Sequence, residues 1–332
     1  MARIRVVVAV ALSFATSTAV GVGAGLPATA DAATTSTSVT QTAAAAATGD
    51  PVVMAAGDIA CEPGSKRTTK CRDDLTAGLL GPADYVLTAG DNQYNCGRLA
   101  SYQGGYDKTW GQYLDKTYPI VGEDEYSGSG CSTPGAEGYF TYFSSRAQQG
   151  SCTKACPGWY SYDIGTSWHV VALNTACTEA SIGGCKSTSP QLQWLRQDLA
   201  ATSKPCILAV MHRPYWSNGN TVAKFKPFID ALYAGGADVV LTGNSHLYAR
   251  YAQQNPSSQL DTARGLRAFI VGMGGKSHST FKSPRLPNFE AGSDRTFGVL
   301  QLTLHPASYD WEYLQAYPAS PVFTDTGSTA CH

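Results

Sequence analysis

The chain has 332 residues, a formal net charge of −1 and a pI near 6.6. Apolar residues make up 43% of it and charged residues 15%, which argues against a wholly disordered chain, a coiled coil or a collagen-like fibre. The balanced charge also argues against a nucleic-acid-binding surface. The 10 cysteines are too many for a protein of the reducing cytosol and indicate export.

Residues 1–30 have the features of a secretory signal peptide. Arg3 and Arg5 precede an uncharged stretch, and small residues lead to an A-x-A cleavage pattern at residues 28–30. No Arg-Arg pair is present, which favours the general secretory route over twin-arginine export. An uncleaved membrane anchor is the alternative, because residues 6–29 are long enough to span a bilayer, although Gly, Ser and Thr dilute them.

After the signal peptide, residues 31–50 are rich in Ala and Thr and lack basic residues, so we predict a disordered linker there. No repeat or second linker interrupts residues 51–332, which we predict to form one catalytic domain. We expect a secreted, extracellular monomer that takes a small-molecule substrate. After cleavage of the signal peptide we expect it to bind neither nucleic acid nor a membrane.

Short apolar runs bounded by glycine predict buried strands in this domain. Five of them end in a polar cluster: PVVMAAGD at Asp58, ADYVLTAGD at Asp91, TYPIVGEDE at Glu125, CILAVMH at His212 and ADVVLTGNSH at His246. Amphipathic spacing predicts helices over residues 192–199 and 225–233, the first capped by the Ser-Pro at 189–190 and the second ended by the Gly-Gly at 235–236. Alternating runs predict further strands: GWYSYDIG, WHVVALN, RAFIVGMGG, FGVLQLTL and YDWEYLQA. The pattern is that of an α/β chain.

Six of the cysteines are close enough in sequence to close short surface loops, as the pairs Cys61 with Cys71, Cys152 with Cys156, and Cys177 with Cys185. The pairing of the other four stays open: Cys96, Cys131, Cys206 and Cys331. A thiolate metal site is disfavoured, because paired C-x-x-C spacing is missing.

The polar strand ends are the chemical signal in the sequence. In open α/β sheets, ligands bind beyond the carboxyl ends of the strands. Carboxylates and imidazoles gathered at those ends predict a metal site, because hard oxygen and imidazole ligands suit Mn, Fe or Zn.

The ordered set GD-x-A, GDNQY, GEDE, VMHRP and GNSH resembles the five blocks of calcineurin-like metallophosphoesterases, in particular the purple acid phosphatase branch. The resemblance extends over the mature chain. It implies a four-layer α/β/β/α sandwich of two mixed sheets, with metal ions at the strand ends. It also implies a secreted hydrolase that cleaves phosphate esters with a metal-activated hydroxide.

The resemblance also implies the site residues. It gives the first ion these ligands: Asp58, Asp91, Tyr94 and His246. The second ion would take His212, together with Glu123 and Asn244 at positions where the family has Asn and His. These departures shift the metal preference of the second site from Zn towards Mn, Mg or Ca. We expect one or two metal ions per chain, and their identity could be Fe, Mn, Zn or Ca.

The predicted reaction and substrate groups lie beside these ligands. Asp124, at the position of the family's catalytic His, and Glu123 are the candidate acid–base carboxyl groups. Asn92 is a candidate donor to substrate or water. Arg213 is a candidate anion clamp or the partner of an extra carboxylate, and Tyr126 is expected to line the pocket.

Two alternatives stay open, because the added carboxylates would repel a phosphate dianion unless bound metal compensates. The pocket is predicted to concentrate acidic groups from five positions: Asp58, Asp91, Glu123, Asp124 and Glu125. The scaffold could therefore serve a non-phosphatase enzyme with a neutral substrate. It could also serve a non-catalytic metal-binding pseudoenzyme, since fold does not fix function.

Overall fold

Two β-sheets packed face to face form the centre of the fold. The computed structural model describes residues 49–128, 130, 132–148, 152–316 and 322–332, so the predicted signal peptide and nearly all of the predicted linker lie outside it. In chain order the strands are β1 Val52–Ala56, β2 Tyr85–Ala89, β3 Thr117–Ile120, β4 Tyr160–Ile164, β5 Trp168–Leu173, β6 Cys206–Met211, β7 Val239–Thr242, β8 Tyr248–Tyr251, β9 Arg267–Val271, β10 Phe289–Ser293, β11 Gly298–Leu304, β12 Ser308–Gln315 and β13 Thr326–Ala330. The α-helices are α1 Asp73–Ala77, α2 Leu99–Gly104, α3 Glu137–Phe143, α4 Pro190–Ala201 and α5 Lys226–Ala234.

Both sheets are mixed. The first has the order β13-β12-β11-β1-β2-β3, with β1, β2 and β3 parallel and the other strands antiparallel to their neighbours. The second has the order β10-β8-β9-β7-β6-β5-β4, with a parallel centre of β5, β6, β7 and β9. The parallel centres carry the short apolar runs, because strands covered on both faces need no polar alternation.

Strand β1 shows how the layers are built. Val53 and Ala55 point into the core between the sheets, and the alternate residues Met54 and Ala56 point to the outer face, where the aromatic side chains of α2 and α3 cover them. On the other side, α4 and α5 cover the second sheet with apolar side chains that include Leu195. The predicted four-layer α/β/β/α sandwich is therefore confirmed.

The predicted elements are found with small shifts at their ends. The two predicted helices are α4 and α5; Pro190 begins α4, although the Ser189 side chain makes no cap hydrogen bond, and α5 ends before Gly235. The sequence did not predict β8, β10 and β13, or the short helices α1 to α3. These elements have four to seven residues, too few to establish a hydrophobic period.

The three predicted short-range disulfides are present, joining Cys61 to Cys71, Cys152 to Cys156, and Cys177 to Cys185. A further bridge joins Cys206 at the start of β6 to Cys331, which are 125 residues apart. Cys131 lies outside the described residues. No helix in the described ranges is both long and apolar enough to cross a membrane.

Candidate metal centre

Asp58 and Asp91 lie side by side at the carboxyl ends of β1 and β2. The backbone N–H of Asp58 donates to the carbonyl of Gly90 at 3.0 Å, and the N–H of Ile59 donates to the carbonyl of Asp91 at 3.0 Å. Both aspartates have positive φ values, 57° and 48°. Such a backbone is uncommon for residues other than glycine and is often found at functional sites, so it directs attention to these two carboxylates.

The phenolic oxygen of Tyr94 joins the two carboxylates. It donates to Asp58 Oδ1 at 2.6 Å or to Asp91 Oδ2 at 2.9 Å, and it lies 3.1 Å from His246 Nε2. His246 Nε2 is also 3.1 Å from Asp58 Oδ1. The four residues predicted as ligands of a first ion therefore present their donor atoms to one another.

His212 completes this group from the end of β6. Its Nδ1 lies 2.8 Å from the carbonyl of Ala89, which makes Nδ1 the protonated nitrogen. Its Nε2 is buried, makes no regular hydrogen bond and faces Asp91 Oδ2 at an ion-pair distance of 3.3 Å. A buried polar atom without a regular hydrogen bond is rare, and an ion bound at this nitrogen would satisfy it.

These donor atoms fit a metal ion. Ligand atoms of Asp58, Asp91 and His212 all lie within 4.8 Å of one another. Carboxylate, imidazole and phenol groups are suitable ligands for Mn, Fe and Zn. The orientation of both imidazoles fits as well, because the second ring nitrogen of each is fixed by a hydrogen bond, to Ala89 for His212 and to Ser277 Oγ at 3.0 Å for His246.

The aspartates and histidines shift one another's protonation. Burial alone would lower the pKa of His212, but the charge of Asp91 overcomes it and raises the pKa to about 10. Burial likewise opposes ionisation of Asp91, and His212 nevertheless holds its pKa below the usual range. Burial and the carboxylates of Asp58 and Asp91 raise the pKa of Tyr94. A metal ion bound here would have to displace protons from His212 and Tyr94.

The three acidic residues after β3 point in three directions. Glu123 forms an ion pair with the guanidinium of Arg213. The backbone N–H of Asp124 donates to Asp91 Oδ1 at 2.9 Å, while burial and the nearby Asp91 raise the pKa of its carboxyl group to about 8. Each of these two carboxyl groups remains half-buried beside the centre.

Glu125 points into the protein and corrects the predicted acidic pocket. Its side chain is fully buried. It accepts backbone N–H groups from Asp91 at 3.0 Å, Asn92 at 2.7 Å and Gly122 at 2.6 Å, and the hydroxyl of Tyr102 at 2.9 Å. Glu125 thus fixes the loop after β2 and adds no carboxylate to the pocket.

The remaining predicted residues have mixed placements. Asn92 is buried, and a side-chain N–H of this residue donates to the carbonyl of Ile120 at 2.9 Å, so this N–H is engaged within the protein. The hydroxyl of Tyr126 accepts a hydrogen bond from Asn174 at 2.9 Å, and Tyr126 lines a cavity of about 300 Å³ together with Glu123 and Arg213.

Sequence reasoning missed two residues that follow the glycine-rich end of β9. Ser277 contacts His246, as described above. Lys276 places its ammonium 4.9 Å from the ring centre of Tyr94 and donates to Asn95 Oδ1 at 2.8 Å. The run VGMGG was the available signal, because such a run allows a close backbone approach at the end of a buried strand.

Comparison with solved structures identifies the fold. Neither a protein-family model nor a curated protein matches the chain. The purple acid phosphatase PPD1 of yellow lupin is similar with a TM-score of 0.61 and 17% identity over 84% of this chain and 53% of that chain. The chain has the metallophosphoesterase fold. It spans about half the length of the lupin protein. At this low identity, the similarity supports the fold alone.

Two further solved structures are matched over most of their own length. GAP50, described as the anchor in the inner membrane complex of Plasmodium, has a TM-score of 0.58 and 11% identity over 86% of this chain and 90% of that chain. A dimetal phosphatase of Danio rerio has a TM-score of 0.51 and 11% identity over 86% of this chain and 100% of that chain. The metallophosphoesterase fold therefore occurs both in a phosphatase and in a protein described as an anchor.

Proposed function

We propose that the protein is a secreted, metal-dependent hydrolase of phosphate esters. The observation that carries the proposal is the buried Nε2 of His212, which makes no regular hydrogen bond and faces the Asp91 carboxylate at 3.3 Å. An apolar side chain would fill that place at lower cost unless the nitrogen has a ligand. The disulfides support a place outside the cytosol.

Five residues of the candidate centre would hold the ion: Asp58, Asp91, Tyr94, His212 and His246. The ion, when bound, would polarise a phosphoryl oxygen and lower the pKa of a water molecule. The chain itself would exclude bulk water, because these side chains lie between the sheets and are mostly buried. Arg213 and Lys276, on different strand ends, would attract an anionic ester.

Asp124 is the proposed proton donor to the leaving group. Its backbone is tied to Asp91, and its carboxyl group has no hydrogen-bond partner in the described part of the chain, which leaves it available to a substrate. Glu123 is a weaker candidate than the sequence suggested, because Arg213 pairs with it. Asn92 would support the loop rather than contact substrate.

Hydrolysis of chromogenic phosphate mono- and diesters tests the proposal. The chelated protein should be inactive, and Mn²⁺ should restore turnover. Asp91→Asn should abolish activity, and Asp124→Asn should lower it about 10²–10⁴-fold, mainly in kcat. Asp230→Asn, at an exposed aspartate that pairs with Lys226 on α5, is the matched control and should keep full activity. Metal-independent turnover, or no turnover in the Mn²⁺-loaded protein, would contradict the proposal.

A non-catalytic role is the second candidate. Asn244 supplies a backbone N–H to Asp58 Oδ2 at 2.8 Å, but its side chain is an amide, a weaker ligand than imidazole. GAP50 shares the fold and is described as an anchor. A protein that binds Mn²⁺ but hydrolyses neither phosphate esters nor a neutral carboxylic ester would favour this role. Turnover of the neutral ester alone would favour the remodelled enzyme.

A further inference from the structure

The metallophosphoesterase fold implies two metal ions, but the residues present fit only one. We propose that this chain binds a single metal ion and that the Arg213–Glu123 ion pair takes the place of a second. The inference rests on the proposed metal-dependent function. It concerns the number of ions, so it can fail while that function stands.

The donor atoms form one connected set. Tyr94 Oη and His246 Nε2 lie 2.6 Å and 3.1 Å from Asp58 Oδ1, and Tyr94 Oη lies 2.9 Å from Asp91 Oδ2. His212 Nε2 lies 3.3 Å from that same oxygen of Asp91. These contacts link five donor residues in one connected chain, in which ligand atoms of Asp58, Asp91 and His212 all lie within 4.8 Å of one another.

A second ion would have few ligands of its own. Asp91 Oδ1 already accepts the backbone N–H of Asp124 at 2.9 Å, and Asp58 Oδ2 accepts the backbone N–H of Asn244 at 2.8 Å. The second ion could therefore share one carboxylate oxygen with the first or take His212 from it, because a neutral imidazole nitrogen has one lone pair and binds one ion. Of the two half-buried carboxyl groups at that side, Glu123 is bound by the guanidinium of Arg213, which leaves Asp124 as the carboxyl group available to a second ion.

The charges favour the same conclusion. The carboxylates of Asp58 and Asp91 and a Tyr94 phenolate supply at most three negative charges, fewer than the four positive charges of two divalent ions. The nearby Asp91 also attracts Arg213, so the guanidinium lies within the field of the centre. A second divalent ion beside Arg213 would meet a fixed positive charge that cannot be removed by deprotonation.

The number of bound Mn²⁺ ions tests the proposal directly. We expect the chelated wild-type protein to take up one Mn²⁺ per chain, measured by elemental analysis and titration calorimetry, and to give the electron paramagnetic resonance spectrum of an uncoupled Mn²⁺ ion. Two ions per chain, or the spectrum of a coupled pair, would overturn the proposal. No bound ion would overturn both this proposal and the metal-dependent function.

Variants test the part assigned to Arg213. The double variant Arg213→Met with Asn244→His frees Glu123 and adds an imidazole, and we expect it to bind a second Mn²⁺. The matched control combines Asn244→His with Arg196→Met, because Arg196 lies on α4 and its hydrogen bonds within the described residues go to the backbone carbonyls of Ser187 and Leu192. The control should still bind one ion. A folded double variant that still binds one ion, or a control variant that binds a second ion, would overturn the role assigned to Arg213. If the double variant does not fold, the number of ions bound by the wild-type protein decides the proposal.

Discussion

His212 Nε2 and Asp91 Oδ2 lie 3.3 Å apart, although the two residues follow strands of different sheets. His212 follows β6 of the second sheet and Asp91 follows β2 of the first, so the packing of the two sheets against each other brings the two residues together. The candidate metal centre therefore lies where the carboxyl ends of strands from the two sheets meet. A metal ion bound there would therefore link the two sheets, and metal binding should raise the free energy of unfolding.

Ser277 is predicted to position His246. Its hydroxyl lies 3.0 Å from His246 Nδ1, which orients Nε2 towards Asp58 and Tyr94. Because partners of this kind orient metal ligands, Ser277→Ala should lower Mn²⁺ affinity about 10–100-fold in calorimetric titrations. Ser279→Ala is the control, since Ser279 contacts His246 through its backbone N–H at 2.9 Å. Equal affinities for the two variants would show that the hydroxyl does not orient the imidazole.

Tyr94 is predicted to bind the metal ion as a phenolate. Its oxygen lies 2.6 Å from Asp58 Oδ1 and 2.9 Å from Asp91 Oδ2, in the middle of the donor set. The protein loaded with Fe³⁺ should then show a visible phenolate-to-iron charge-transfer band. Tyr94→Phe should lose the band. The control Tyr215→Phe removes a hydroxyl that donates to the carbonyl of Pro256, and this variant should retain the band. A band of equal strength in Tyr94→Phe would exclude this ligand.

Gly90 is predicted to be required beside His212. It has a φ of +80°, and a Cβ atom added to it would lie 2.6 Å from His212 Nδ1. Gly90→Ala should therefore cost about 1–3 kcal/mol of unfolding free energy and also weaken Mn²⁺ binding. Gly81→Ala is the control, because its added Cβ atom would meet nothing within 4 Å. The expectation fails if Gly90→Ala unfolds at the same denaturant concentration as this control.

The sequence predicted the strand ends well because the signal is local. Asp58, Asp91, His212 and His246 each follow a short apolar run, and the structure brings all four together. Contacts between distant segments had no such signal. Arg213 and Glu123 are 90 residues apart, and the sequence could name their pairing only as an alternative to anion binding. The direction of a side chain in a loop was equally hidden, so the inward-facing Glu125 was assigned to the pocket.

His169 on β5 is predicted to make stability depend on pH. Its ring lies 2.8 Å from Asp163 Oδ1 and 2.9 Å from Asp198 Oδ2. Burial alone would lower its pKa, but these two carboxylates outweigh it and raise the pKa above 6.5. The stabilisation is therefore complete below the unfolded pKa of 6.5 and is lost as the pH rises through the folded pKa.

Comparison of the wild type with His169→Gln measures this effect. The variant should lose more unfolding free energy near pH 6 than near pH 9, because only the protonated imidazole gains from both carboxylates. Urea unfolding at the two pH values gives the difference. A loss that is equal at both, or greater at the higher pH, would show that His169 acts by packing alone.

A crystal structure of the Mn²⁺-loaded protein, with anomalous difference density, tests the central claim most directly. The account predicts one strong anomalous peak within coordination distance of Asp58, Asp91, Tyr94, His212 and His246. It also predicts that the Arg213–Glu123 pair stays intact beside it. Absence of a peak between the two sheets, or a main peak at any other place in the molecule, would contradict the account.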